Sequence, residues 1–177
     1  IVTDDFESSY NATCHLIKMS CKRIAYLSTS STLSINSKRM EGFKKALADN
    51  GIKNNTTDII SCYSNTDGNY KIIKDILKKK NRPDGIIASV EKLTTPIYLA
   101  CKDLKLSIPD KIKVISFTNL QAALILSPTL TTVTQPAFEM GKSAATILFK
   151  ALEKSSFNLS KENLIIPSTL ITRDSTL

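Results

Sequence analysis

Apolar positions along the chain follow two alternating spacings. Four apolar clusters have the length of buried strands, at residues 23–27, 58–62, 84–89 and 112–117. Three segments between them repeat apolar residues with the period of a helix, at residues 35–48, 69–77 and 95–104. Strand and helix therefore alternate, which predicts an α/β fold with a parallel sheet and right-handed crossover helices.

The two ends of the chain have a different pattern. Residues 6–19 predict a helix before the first strand, and the segment LTTVTQP leads into a long amphipathic helix at 136–154. Phe138 and Leu152 belong to the apolar stripe of that helix, which predicts that the stripe packs on a core. The final segment contains Pro167, so we expect an edge or crossing strand there.

The composition is that of a globular protein with a sizeable core, with 42% hydrophobic and 23% charged residues in 177. No apolar run approaches the ~20 residues of a membrane-spanning helix, so we expect no membrane partner. The opening IVTDDFESSY lacks the features of a secretion signal, which predicts a cytoplasmic protein. It also lacks an initial Met, so we expect an amino-terminal portion of the parent protein to be missing.

The positive charge of the chain does not by itself predict a nucleic-acid surface. The net charge is +8, but 20 of the 24 basic residues are Lys, distributed over several predicted helices. The densest run, KDILKKKNR, ends a predicted helix, where cations complement the helix dipole. We therefore interpret these side chains as solvated helix faces.

Motifs for metal binding, nucleotide binding and catalysis are missing from the sequence. The four cysteines and the single histidine lack metal-site spacing, which predicts free thiols and no metal. Neither GxGxxG nor GxxxxGK[ST] nor GxSxG occurs, so we expect no cofactor and no catalytic residue. His15, beside Leu16, is interpreted as structural, and the protein is predicted not to be an enzyme.

Polar side chains follow the predicted strands, at the edge where an open parallel sheet binds its ligands. The candidate ligand-binding residues are Ser28, Arg39, Tyr63, Glu91, Thr118 and Asn119. An aromatic side chain with a few convergent polar groups suits a small polar ligand that has an apolar face. Two alternatives stay open: Tyr63 could cover the core, and Arg39 could pair with Glu41 or Asp49 on its own helix.

An ordered set of segments resembles the ligand-sensing core of the lactose/galactose repressor (LacI/GalR) family. The segments are RIAYL, SKRMEGFKKALADNGI, RPDGIIAS, LKLSIPDKIKVISFTN, SPTLTTVTQPAFEMGKSAATILFKAL and LIIPSTLITRDS, and the resemblance covers nearly the whole chain. It implies a type I periplasmic-binding-protein-like fold, with two Rossmann-like lobes of parallel sheet and flanking helices. One lobe is then incomplete in this chain.

The resemblance also implies a domain division and partners. Residues 1–21 and 132–162 would form part of the amino-terminal lobe, and residues 22–131 and 163–177 the carboxyl-terminal lobe. The implied protein is a homodimeric bacterial transcriptional regulator that binds a small effector, such as a sugar or sugar derivative, between its lobes. DNA would be bound only through an amino-terminal helix-turn-helix head that is absent from this chain.

Three candidate residues match the pattern of the family. Arg39 stands where the family has an arginine that contacts effector hydroxyl or carboxylate groups. Tyr63 matches an aromatic wall of the pocket. Asn119 matches the residue after the carboxylate in the usual Gly-Phe-Asp-Asn strand tip.

Other positions depart from that pattern. Thr118 replaces the carboxylate, Val90 stands where many sugar-responsive members have Asn, and Glu91 replaces the next Asp. A carboxylate that accepts two sugar hydroxyls is a strong anchor, so its loss changes the site. Three outcomes stay open: Glu91 supplies the charge, Arg39 holds an anionic ligand, or effector binding is lost.

Two other functional classes remain as alternatives. A solute-binding protein of a transport system would share the two-lobed fold but would require a secretion signal before this segment. An enzyme is the more distant alternative, because His15 is the one obvious acid–base residue.

Overall fold

A computed structural model describes residues 1–30, 32–52, 59–62, 65–153, 158 and 163–177. The strands within these residues are β1 (Val2–Thr3), β2 (Ile24–Ser28), β3 (Ile59–Ser61), β4 (Gly85–Ala88), β5 (Lys113–Phe117), β6 (Thr131–Thr134), β7 (Ile165–Ile166) and β8 (Thr169–Ile171). The α-helices are α1 (Asp5–Lys18), α2 (Ser34–Asp49), α3 (Thr66–Leu77), α4 (Thr94–Asp103) and α5 (Ala137–Glu153). Short 3₁₀ helices span Glu91–Leu93 and Gln121–Leu124.

The main sheet has six strands in the order β3-β2-β4-β5-β6-β8. Every pairing is parallel except that of β6 with β8, which is antiparallel and places β8 at the edge. The predicted alternation of strand and helix is confirmed. A separate two-stranded sheet pairs β1 with β7, so the Pro167 segment crosses from one sheet to the other, as the sequence predicted.

Helices cover both faces of the main sheet. Its central strands β2 and β4 are therefore buried at every position. On one face, α3 and α4 contribute Ile73 and Ile97 to a core cluster with Val114 of β5. On the other face, α1 and α2 contribute Leu16 and Phe43 to a second cluster. The fold is thus a doubly wound α/β sheet, and its ligand edge is the one at the carboxyl ends of the parallel strands.

Helices α1 and α2 approach each other closely near the ligand edge. A Cβ atom at Gly42 would lie 2.1 Å from the backbone oxygen of Phe6, so only glycine permits this contact. Beside it, Arg39 of α2 forms an ion pair of 2.8 Å with Asp5 of α1. Both side chains are buried, which fixes the start of α1 against α2.

Helix α5 differs from the sequence-based expectation. The stripe that was predicted to pack on a core is exposed within this chain: Phe138 is 79% and Leu152 73% exposed. No described side chain of α5 is buried. The prediction of core packing is therefore wrong for this chain, because no described element lies over the stripe.

The carboxyl-terminal residues pack into the main sheet. The Ser175 hydroxyl donates to the Val114 backbone oxygen at 2.6 Å and accepts from the Thr131 amide at 2.8 Å. Thr176 is fully buried and lies 2.9 Å from Nε2 of His15 on α1. Within the described part of the chain, no helix is long and apolar enough to cross a membrane.

Candidate ligand-binding cleft

A cleft of about 370 Å³ opens at the carboxyl ends of β4, β5 and β6. It is lined by Arg39, Ser89, Val90, Glu91, Phe117, Thr118, Asn119 and Gln135. Four of the six residues predicted from sequence therefore come together there. They reach the cleft from α2, from the turn after β4 and from the tip of β5, as expected for a parallel sheet.

Arg39 is almost completely buried at the base of the cleft, with 4% of its surface exposed. Its Nε donates to Oδ1 of Asp5 at 2.8 Å, and its Nη1 donates to the Ser89 backbone oxygen at 2.7 Å. The guanidinium carbon also lies 4.0 Å from the centre of the Phe117 ring. Arg39 is thus held on three sides before any ligand arrives.

The partner of Arg39 is not the one that the sequence suggested. Asp49 instead pairs with Lys45 on the helix surface, at 2.5 Å. The carboxylate beside Arg39 belongs to Asp5, 34 positions earlier in the chain. No local spacing signals such a pair, because it depends on the packing of α1 against α2.

Thr118 and Glu91 meet at the mouth of the cleft. The Thr118 hydroxyl is 3.3 Å from Oε2 of Glu91 and also accepts from the Leu120 amide at 3.0 Å. The first distance exceeds the ~2.7–2.8 Å typical of hydroxyl–oxygen hydrogen bonds, so this contact is weak. Thr118 is buried, whereas Glu91, which begins the short 3₁₀ helix after β4, is exposed.

Asn119 joins two strand ends through its side-chain amide. Its Nδ2 donates to the Gln135 backbone oxygen at 2.6 Å, and its Oδ1 accepts from the Gln135 amide at 2.7 Å. The Gln135 side chain in turn donates to the Thr3 hydroxyl at 3.2 Å. Asn119 therefore shapes the cleft where β5 and β6 end, a role that was not predicted from sequence.

The remaining two candidates are not among the described lining residues. Ser28 is buried, donates to the Ser30 backbone oxygen at 2.9 Å and accepts from Nδ2 of Asn36 at 2.8 Å. Its hydroxyl thus holds the turn after β2, and a ligand contact from it stays a prediction. Tyr63 lies outside the described residues.

Sequence reasoning did not select Phe117 or Gln135 as lining residues. Phe117 ends an apolar segment and was interpreted as strand. Gln135 belongs to the Gln-Pro pair in the segment LTTVTQP, which is one of the segments that resemble the LacI/GalR family. That match could have marked Gln135 as a candidate. Each was missed because the exact strand end decides which side chain faces the cleft.

A larger cavity of about 560 Å³ lies elsewhere, beside α4. Its lining includes Tyr98, Leu99 and Ile125 and is mostly apolar. It is away from the strand ends and holds few convergent polar groups. The smaller cleft, where charged and polar side chains converge, is therefore the candidate ligand site.

His15 is remote from the cleft. Burial, together with the nearby cations Lys113 and Lys18, lowers its pKa below the ordinary histidine value. Its contact with Thr176 ties α1 to the end of the chain. This agrees with the structural role predicted for it.

Fold and cleft together define an α/β ligand-binding domain of the periplasmic-binding-protein type. The family described as "periplasmic binding protein-like domain" matches residues 13–176. The chain therefore belongs to this family.

Curated relatives of the chain are transcriptional regulators. It is 29% identical to the NTD biosynthesis operon regulator NtdR of Bacillus subtilis, over 98% of the chain and 52% of that protein. It is 27% identical to catabolite control protein A of Priestia megaterium, over 90% and 48%. The chain thus spans about half the length of the curated relatives it matches, and the predicted resemblance to LacI-type regulators is confirmed.

Solved structures agree with this family. A LacI-family regulator from Enterococcus faecium with bound ribose is 26% identical with a TM-score of 0.84, over 98% of the chain and 64% of that structure. A sugar-binding LacI-family regulator from Escherichia coli, complexed with phosphate, is 25% identical with a TM-score of 0.85, over 98% and 61%. The fold expected from the sequence is therefore confirmed.

Proposed function

We propose that this chain is the effector-sensing core of a LacI-type bacterial transcriptional regulator. The observation that carries the proposal is the cleft at the strand ends, where Arg39, Glu91 and Thr118 converge. Its effector is a small polar molecule such as a sugar or sugar derivative. DNA is bound through a helix-turn-helix head outside this chain, in the cytoplasm where the DNA lies, and the chain itself is not an enzyme.

The proposed regulator has two lobes, and the main sheet belongs to the carboxyl-terminal one. The contacts support a division slightly different from the one predicted at 1–21 and 132–162. Helix α1 packs on α2 and the main sheet, and β6 is a strand of that sheet. We therefore assign β1, β7 and α5 to the amino-terminal lobe, whose remainder would cover the exposed stripe of α5.

The proposed regulator is a homodimer, and the surface around the α4 cavity suits a second copy. Leu99 is 45% and Ile125 84% exposed there, beside an apolar groove. Contiguous apolar surface of this kind marks protein interaction sites. Sedimentation of the Ile125→Asp variant should show fewer dimers than the unchanged chain, and an unchanged mass would contradict this assignment.

The relatives favour a regulator over a transport protein, because their names are those of regulators. The coding sequence upstream of this segment separates the two classes. A helix-turn-helix there supports the regulator. A secretion signal supports the transport protein.

Thermal-shift screening of the proposed regulator with both lobes tests ligand binding directly. The panel contains sugars, amino sugars, sugar phosphates, sugar acids and nucleobases. A ligand at 100 times its Kd should stabilise the folded protein by about 2.7 kcal/mol. Glu91→Trp should abolish the shift, because an indole on this exposed residue would fill the cleft. Glu153→Trp, the same change at the end of α5, should retain it.

Absence of a shift with every compound would contradict the sensing function. A shift that survives Glu91→Trp would contradict the assigned cleft.

A further inference from the structure

The two charged side chains that line the described cleft, Arg39 and Glu91, differ in how they are paired. Arg39 already faces a carboxylate, since its Nε lies 2.8 Å from Asp5 Oδ1 and the two side chains are 5% and 3% exposed. An anionic ligand at Arg39 would bring a second negative charge next to Asp5, and like charges in one buried site repel. Arg39 is therefore a poor receptor for an anion.

Glu91, unlike Arg39, has no ion-pair partner among the described residues. Among the described residues, the ion pairs involve Asp5, Asp49, Asp75 and Asp103 but not Glu91. Its contact with the Thr118 hydroxyl, at 3.3 Å, is weak and uses one carboxylate oxygen. The exposed carboxylate thus keeps most of its hydrogen-bonding capacity for a ligand.

Glu91 lies where its carboxylate can replace the one that is missing at Thr118. β4 and β5 are neighbours in the sheet, with Ala88 opposite Ser116, so the turn after β4 lies beside the tip of β5. From that turn, Glu91 places its carboxylate next to the Thr118 hydroxyl. A negative charge is therefore present at the strand tip although residue 118 does not supply it.

We infer that this cleft selects ligands that carry an ammonium group together with hydroxyl groups, with Glu91 as the anionic anchor, and disfavours anionic ligands. The inference rests on the proposed function and names the ligand class of the same site. An ammonium donates up to three hydrogen bonds and carries the complementary charge. Asp5, Arg39 and Glu91 together leave one net negative charge, which favours a cation.

A matched series of hexoses tests this selectivity. Glucosamine, glucose and glucuronate share one ring and carry a positive, zero and negative charge at mildly acidic pH. Amide chemical shifts of these 177 residues in the proposed regulator with both lobes, followed during titration, give the three dissociation constants. We expect glucosamine to bind tightest and glucuronate weakest, with about a fivefold difference between successive ligands, because exposed charge pairs contribute little.

Glu91→Gln removes the anchor charge and nearly preserves side-chain shape. It should weaken glucosamine binding about fivefold and reduce the preference over glucose to near unity. Glu153→Gln is the matched control, because the other end of α5 lies about 24 Å along the helix from the cleft. This control should leave all three dissociation constants unchanged. High salt should also reduce the preference, because screening weakens exposed charge pairs.

Each other outcome has a definite meaning. Glucuronate that binds as tightly as glucosamine, or a preference that persists in Glu91→Gln, would overturn the inference and leave the sensing function intact. If none of the three hexoses binds, the best ligand of the thermal-shift screen takes their place, and a ligand unaffected by Glu91→Gln overturns the inference. Failure of every compound in that screen refutes the proposed function itself.

Discussion

Helices α1 and α5 have comparable lengths and amphipathic sequences but opposite environments. α1 buries Ala12 and Leu16 in the core cluster that it shares with α2. α5 leaves Phe138 and Leu152 exposed and buries no described side chain. An apolar stripe therefore indicates which face of a helix can pack on other apolar surface. Whether that face is buried depends on which other segments are present to cover it.

The difference also has consequences for the cleft. α1 is fixed to α2 by the Asp5–Arg39 ion pair and by close backbone contact at Gly42, and both features lie near the ligand edge. α5 begins three residues after β6, next to Gln135 of the cleft, and none of its described side chains is buried. The α1–α2 side of the cleft is thus fixed by contacts between described residues.

The largest expected effect is the loss of the buried ion pair. Arg39→Met leaves the Asp5 carboxylate buried without its partner, which should lower the free energy of unfolding by about 3–5 kcal/mol. Urea denaturation monitored by circular dichroism measures the change. The double variant Arg39→Met with Asp5→Leu should be more stable than Arg39→Met alone. If both variants were as stable as the unchanged chain, the pair would not fix α1.

A pair of leucines tests the comparison of the two helices directly. Leu16→Ala removes a fully buried side chain from α1 and should cost about 2–5 kcal/mol of unfolding free energy. Leu152→Ala, at a position that is 73% exposed on α5, should change it by about 0.5 kcal/mol or less. The same urea experiment measures both. Equal effects would show that α5 is packed in solution.

Gly42 tests how closely α1 and α2 approach. The methyl group of Gly42→Ala would meet the Phe6 backbone oxygen at 2.1 Å, so the helices must move apart. We expect a loss of about 1–3 kcal/mol in unfolding free energy, the usual cost of overpacking. Gly141→Ala is the matched control, because its Cβ would meet no atom within 4 Å. If Gly42→Ala were as stable as Gly141→Ala, the close contact would be absent in solution.

The smallest expected effect is the pH dependence contributed by His15. Burial and the neighbouring cations lower its pKa in the folded chain, so the unfolded chain binds the proton more readily. The stability contributed by neutral His15 is then complete above about pH 6.5 and is lost as the pH falls below it. Urea denaturation at several pH values should show this loss, and His15→Gln should remove that part of it. An identical pH profile in His15→Gln would contradict this explanation.

Much of the fold was predictable because its signals are local. The predicted strand at 112–117 is β5 (Lys113–Phe117), and the predicted helix at 35–48 is α2 (Ser34–Asp49). Apolar runs and helical periodicity depend on neighbouring residues alone, so both can be recognised in a single sequence. The exposure of α5 was not predictable in this way, since it depends on what lies over the helix.

Part of the candidate site was predictable in its residues, but their partners were not. The rule that ligands bind at the carboxyl ends of parallel strands correctly brought Glu91, Thr118 and Asn119 together. It did not show that Arg39 pairs with the Asp5 carboxylate or that the Asn119 side chain binds the Gln135 backbone. These pairs join segments that are distant in sequence. Of the three outcomes that the sequence left open, those partners favour the one in which Glu91 supplies the charge.

The central claim is that the effector binds in the cleft at the strand ends. The most direct measurement is a map of amide chemical-shift changes in the proposed regulator with both lobes, recorded with the best ligand of the screen. We predict that the largest changes fall on Ser89, Val90 and Glu91 after β4 and on Thr118 and Asn119 after β5. Changes confined to the α4 cavity, around Tyr98 and Ile125, would contradict this claim.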